Sequence, residues 1–488
     1  MKLFVPRSLL LIIPLLVAGC QTQQGTQPTS RATATVSPAV TPSASPADVA
    51  STKAPVVTLP VLDAFFADSS FSETLKSRLQ LSDSQIAKLK ELAHTATAGL
   101  DEASAGSTAG EGADARSRAQ DEISQVIGAD KTRQLATLVQ EQWNGTDTNS
   151  TPATASTAPT TNPTTEQEFA ALKPNTVPTD SRIVVNAPAF RMDAFEDGHI
   201  VKSYKIGIGY PQFPLPTALR KARAIIFNPT WTPPDEPWVA KMKDVTVGEK
   251  IEAGSALNPL GPIKIPIGLP SLIHGGKSPA KIGTFASHGC VGLTTPQVRD
   301  FAKLLAKVGG TRLTDADLAR YDSDKTQTKS LKLPKDIFVE LRYETIVVED
   351  GKLHIYRDVY DQGTNTQEEL EAVLGAYGVK FDDLTEAERD QVLDALNQMA
   401  GKSTPKTPRP AATTTASPSP SASPSASPVT TAKGKKSVAA KAAPKQKNQK
   451  EIVIEIAALN GKGYPAPVDL DTGSGRPAKT KLVAVKPK

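Results

Sequence analysis

Three stretches of this chain cannot bury a core, and they decide how the rest is divided. Residues 21–60 carry no aromatic side chain and are crowded with Ser, Thr, Pro and Ala. Residues 144–179 repeat the bias with Thr, Pro, Ala and Asn, and residues 401–450 pass from Ser/Pro/Ala repeats into a lysine-rich run. Such segments bury too little apolar surface to offset the entropy of ordering a backbone, so they read as flexible linkers. A chain of 488 residues cut in this way has room for two or three domains. The expected folded parts are a small helical domain at 61–143, a larger domain at 180–345 and a helical appendage at 346–400. A short tail at 451–488 has no evident use.

Charge narrows the functional classes. The chain holds 56 Lys+Arg against 51 Asp+Glu, a net of +5, and seven lysines lie between 433 and 450 with no acid among them. The remainder is slightly acidic, which excludes a basic nucleic-acid-binding domain and confines the excess to one linker. Two cysteines, Cys20 and Cys290, leave no disulfide framework. Lys2 and Arg7 precede an apolar run from Leu9 to Ala18, too short to span a bilayer and patterned as a secretory signal at 1–20. Val17-Ala18-Gly19-Cys20 resembles a bacterial lipobox. That resemblance implies an exported, extracytoplasmic protein of the periplasm or cell envelope, anchored to a membrane through acylated Cys20, with 21–60 as its tether.

Periodicity places the elements. Ser82-Asp-Ser-Gln85 forms a capping box ahead of Ile86, Leu89 and Leu92, and a second apolar stripe surrounds Gly128. Together they predict a helical hairpin or three-helix unit. From Ser181 the pattern turns to short strands at 181–186, 199–209, 224–227, 263–267 and 337–348, with one helix capped by Thr295 and stopped at Gly309-Gly310. Thr366-x-x-Glu369 and Thr385-x-x-Glu388 open two further helices. Many strands and a single good helix predict a mostly β domain, not an alternating βαβ one.

The concentrated chemistry lies between Ile273 and Leu293. Two of five histidines, His274 and His288, flank Cys290 in Ser287-His288-Gly289-Cys290. A thiolate is a strong nucleophile at neutral pH, and a nearby imidazole makes it available. Glycines beside it allow close substrate approach and leave N–H groups to bind an oxyanion. Two other readings share these residues. One is zinc on His274, His288 and Cys290, for which no His-x-x-x-His or Cys-x-x-Cys spacing supplies support. The other is a structural cysteine.

Ile273-His274-Gly275-Gly276 followed by Ser287-His288-Gly289-Cys290-Val291 resembles the active-site signature of the L,D-transpeptidases, the YkuD-type catalytic domain. Tyr204–Gly209, Asn228–Pro234 and Asn258–Pro262 add to the likeness, which spans residues 181–345. The resemblance implies a mostly β catalytic domain of sandwich or barrel form, with Cys290 as nucleophile and His274 as general base and acid. His288 and Ser287 shape the loop, and the Gly289 and Cys290 N–H groups serve the oxyanion. It implies no cofactor and no metal, donor and acceptor peptidoglycan stem peptides as partners, no nucleic acid, and inhibition by carbapenem-type β-lactams. Two departures stand out: Gly292 where the family usually has Arg, and Pro214–Leu219 in place of a Pro-Thr-Pro-x-Gly turn. An L,D-carboxypeptidase, a hydrolase of wall–lipoprotein linkages and a non-catalytic wall-binding lipoprotein remain open on these residues.

Overall fold

The structure is a computed structural model that describes residues 57–98, 100, 111–143, 175–268, 270–400 and 449–474. The leader, Cys20, the first tether up to residue 56 and nearly all of the other two linkers lie outside the described residues, while residues 57–60, expected in the tether, instead cap and open the first helix. No helix among the described residues is long and apolar enough to cross a membrane.

The N-terminal unit has five helices, two more than the periodicity predicts: α1 (Leu59–Phe66), α2 (Ser69–Leu79), α3 (Asp83–Ala98), α4 (Glu111–Ile127) and α5 (Ala129–Trp143). The first two are short and were hidden because each depends on its cap. The Thr58 side chain accepts from the Val61 N–H at 3.3 Å, and Asp68 accepts from Ser70 at 2.9 Å. Leu62, Leu75, Leu89, Ala119 and Val139 are fully buried around Trp143, so the unit has a core of its own.

The catalytic region is a curled eight-stranded sheet. Its strands are β1 (Arg182–Asn186), β2 (Arg191–Glu196), β3 (His199–Lys205), β5 (Ala218–Phe227), β6 (Ile263–Pro266), β7 (Leu272–His274), β9 (Val291–Gly292) and β10 (Lys329–Arg342), in the order β3-β2-β1-β10-β5-β6-β7-β9. Two short strands, β4 (Ile208–Gly209) and β8 (Phe285–Ser287), pair beside it. The sheet curls far enough that Gly207, just beyond β3, exchanges two 2.9 Å backbone hydrogen bonds with Gly292 of β9. The Cys290 loop therefore sits where the two edges meet.

Helix α6 (Thr295–Val308) follows the loop. Its cap is Thr294, one residue before the expected Thr295, because the Thr294 hydroxyl accepts from Gln297 N–H while Gln297 Oε1 accepts from Thr294 N–H at 3.0 Å. Val298, Phe301, Ala302 and Leu305 are fully buried against the sheet, each large side chain contributing ~1.5–3 kcal/mol. A second helix, α7 (Asp315–Ser323), was not expected; Thr314 and Asp317 cap it reciprocally.

The expected appendage is larger than its helices. Strands β11 (Ile346–Glu349) and β12 (Lys352–Tyr356) are completed by β13 (Glu451–Glu455), which comes from the tail, and α8 (Gln367–Ala376) and α9 (Glu386–Met399) pack on this sheet. The tail then continues along the main sheet. Ser203 N–H donates to Val468 O at 2.8 Å and Lys205 N–H to Asp471 O at 2.7 Å, which covers the β3 edge. Residues 180–400 taken alone thus lack one strand of the second sheet and the cover of the first.

Candidate active site

The two halves of the sequence signature meet through strand pairing. β7 and β9 run parallel, with Ile273 opposite Val291 and His274 opposite Gly292. This places the imidazole beside the loop that ends at Cys290. Leu293 N–H donates to His274 O and Lys277 N–H to Leu293 O, so β7 and its following turn are tied to the residues after the cysteine.

Glycines make the fit possible. A Cβ on Gly261 would lie 2.5 Å from Gly276 N, and one on Gly209 would lie 2.0 Å from Phe213 O and 3.1 Å from Gly289 Cα. The Asn258–Pro262 segment is therefore what seats the His274 turn, and the Tyr204–Gly209 segment what seats the cysteine loop. Gly289 itself has φ +91°, a conformation that L side chains rarely adopt.

Ser287 clamps the loop from within. Its hydroxyl donates to Cys290 O at 2.6 Å and accepts from Cys290 N–H at 3.0 Å. The Cys290 N–H, expected as an oxyanion donor, is thus committed to Ser287 in this structure. That hydrogen bond makes Ser287 a loop-shaping residue.

His274 is buried, and its Nδ1 sits 2.8 Å from Gly275 O. A carbonyl only accepts, so this bond calls for a proton on Nδ1. Burial pushes the imidazole down to about 3, helped by the positive charge of Lys277 and opposed by hydrogen bonds to the Gly275 and Leu260 carbonyls. Cys290 is half-buried. Burial pushes its thiol up, the Leu272 backbone and Lys277 pull it down, and Glu236 pushes it up. Burial thus disfavours the charged form of both side chains.

His288 is held among aromatic rings. Its ring stacks on Trp238 at 4.1 Å and 8°, with Phe213 edge-on at 4.9 Å and Tyr210 edge-on at 5.3 Å. These rings line a cleft of about 450 Å³ that also includes Met242, Lys241 and Leu100, the last from the helical unit. The Lys241 ammonium donates to Leu100 O. Trp238 Nε1 donates to the Glu236 carboxylate, which is buried and pushed up to about 7 by that burial. Sequence reading missed Glu236, Trp238 and Leu100. The available signal was the pair Trp231 and Trp238 in a proline-rich loop, whose rings stack at 6.1 Å.

Among the described residues there is no cluster of three His, Cys, Asp or Glu side chains that could hold a metal ion. His288, one of the three residues of the zinc reading, is held in the aromatic stack on Trp238.

Comparison with known proteins covers the same region. The pattern of the YkuD family, the L,D-transpeptidase catalytic domain, matches residues 180–317. No curated protein matches the chain. Among solved structures, the catalytic domain of the Enterococcus faecium L,D-transpeptidase is 16% identical. It covers 34% of this chain and 98% of that one, with a TM-score of 0.21. An L,D-transpeptidase from Mycobacterium smegmatis is 15% identical over 33% of this chain and 58% of that one, TM-score 0.20. L,D-transpeptidase 3 from Mycobacterium tuberculosis, solved with a faropenem-derived adduct, is 12% identical over 33% and 60%, TM-score 0.19. The chain spans about half of a further Enterococcus faecium L,D-transpeptidase structure. Over the sheet that carries His274 and Cys290, this chain is similar to the L,D-transpeptidase catalytic domain.

Proposed function

We propose that this protein is a peptidoglycan L,D-transpeptidase that cross-links stem peptides through a thioester on Cys290. The observation that carries the reading is the β7–β9 pairing, which sets His274 beside the loop of the half-buried cysteine. His274 Nε2 takes the thiol proton, and the thiolate attacks the carbonyl of the diamino-acid residue in a tetrapeptide stem. The oxyanion is met by backbone N–H groups of the loop, that of Gly289 among them. Collapse breaks the amide, the imidazolium protonates the leaving amine, and terminal D-alanine departs. The side-chain amine of a second stem then attacks the thioester and gives up its proton to His274, which leaves an amide cross-link and the free thiol. No metal or cofactor enters the scheme.

Cys20 supplies the lipid anchor, which places this chemistry outside the cytoplasm on a tether of roughly 35 Å average reach. Carbapenem-type β-lactams acylate the same thiol. The test is incubation with tetrapeptide stems. Dimers that vanish with Cys290→Ala support the transferase, tripeptides alone mean an L,D-carboxypeptidase, and wall binding without acylation means a non-catalytic lipoprotein. Fractionation of Cys20→Ala tests the anchor: the variant is expected in the soluble fraction.

A further inference from the structure

We propose that Lys277 is a positioning residue whose side chain, laid across Gly292, keeps a positive charge beside the Cys290 thiol and favours the thiolate. The inference deepens the proposed function and rests on Cys290 being the nucleophile.

The geometry comes from three neighbouring turns. Lys277 follows the Gly275-Gly276 turn, and its backbone N–H is fixed to Leu293 O at 3.1 Å, just past β9. Its side chain runs over Gly292: a Cβ built there would lie 2.8 Å from Lys277 Cγ and 3.0 Å from Cε. Gly292 in turn is held from the other side by the two backbone bonds to Gly207. The absence of a side chain at 292 is therefore what admits the aliphatic stem of Lys277 into the site, two residues from the cysteine.

The charge then acts on both reacting groups. Lys277 pulls the Cys290 thiol down and pushes the His274 imidazole down. A cation there stabilises thiolate and opposes imidazolium, so it releases a proton from either. The other charge acting on the thiol is Glu236, in the loop before β6, with the opposite sign. Glu236 is buried and, held at about 7, is partly neutral at physiological pH. Of the two groups, Lys277 therefore dominates below pH 7.

The experiment is the pH–rate profile of Cys290 alkylation by iodoacetamide in the full chain, read at the Cys290 peptide by mass spectrometry. The thiolate displaces iodide to form a thioether, so the rate follows the thiolate fraction. Lys277→Met is expected to move the profile to higher pH and to slow alkylation at neutral pH roughly tenfold. Lys277→Arg keeps the charge and is expected to stay within about twofold. Gly292→Ala displaces the side chain while leaving the lysine, and shifts the profile in the same direction. A Lys277→Met profile that superimposes on wild type overturns the proposal, as does a Lys277→Arg profile shifted as far as that of the Met variant. Should the profile move as expected while stem peptides remain uncross-linked in wild type, Lys277 stands and the transpeptidase reading falls.

Discussion

The helical unit and the C-terminal lobe both look like appendages hung on a catalytic sheet, yet they are attached in different ways. The helical unit keeps its own core and meets the rest through polar contacts. Thr58 donates to Gln212 O at 2.6 Å, and Arg116 donates to Tyr360 O and Asp361 O at 2.7 and 2.6 Å. Leu100 reaches the aromatic cleft. The C-terminal lobe is woven in. β13 pairs with β12, Tyr464 packs on Phe195 at 5.7 Å, and the buried Tyr360 hydroxyl donates to Gly209 O at 3.1 Å behind the cysteine loop. A linker in sequence is thus no guide to independence. What counts is whether the chain beyond it supplies a strand or only a surface.

The largest expected effect comes from cutting the woven connection. Deleting residues 449–488 removes buried Ile454, Ile456, Leu459 and Tyr464. At ~1.5–3 kcal/mol each this approaches the whole stability of a domain. The truncated chain is expected to lose its cooperative thermal transition. A transition within a few degrees of wild type would show that the tail is merely laid on the surface.

Deleting residues 57–143 tests the other side of the contrast. The sheet and lobe are expected to stay folded by circular dichroism, with substrate binding weakened as the Leu100 wall of the cleft is lost. Collapse of the fold would place the helical unit on the same footing as the tail.

Tyr360→Phe sharpens the comparison at a single atom. The hydroxyl donates to Gly209 O and accepts from Leu215 N–H at 3.3 Å. Its removal strands two buried backbone groups, with an expected loss of about 1–3 kcal/mol in denaturant unfolding. A loss confined to activity would mean that the tyrosine serves the loop and not the joint.

The smallest effect is in pH. Glu236 is pushed up to about 7 by burial, and Asp63 of the helical unit is also pushed up, burial again being the main cause. A carboxyl with a raised folded value favours the fold while protonated. Its contribution is complete below about 4.5 and is lost as pH rises through about 7. Melting temperature should therefore fall across that window, and Glu236→Gln should flatten the fall. An unchanged slope would remove Glu236 from the account.

The sequence was most legible where chemistry is compressed. The His274 and Ser287–Cys290 segments are recognisable from residue types alone, and capping boxes marked the helices at 82, 366 and 385. The strands carrying the site were not legible, because β7, β8 and β9 have only two or three residues and owe their form to backbone pairing and glycine contacts. β2 has buried Met192, Ala194 and Phe195 beside Arg191 and Asp193 of the same strand, which pair with each other. The alternation of Ile452, Ile454 and Ile456 reads as a strand, but its use was hidden because its partner β12 lies beyond a low-complexity stretch. Lys277 had no pattern at all; only the folded neighbourhood gives it a role.

The proposed reaction passes through an acyl group bonded to Cys290, and intact-protein mass spectrometry detects that bond. After incubation with a carbapenem-type β-lactam or a tetrapeptide stem, the wild-type chain is expected to gain one acyl adduct that maps to Cys290. Cys290→Ala should gain none while its circular dichroism matches wild type. His274→Ala should acylate at least tenfold more slowly, in line with loss of a general base. An adduct that persists in Cys290→Ala, or a wild-type chain that stays unmodified under both reagents, would contradict it.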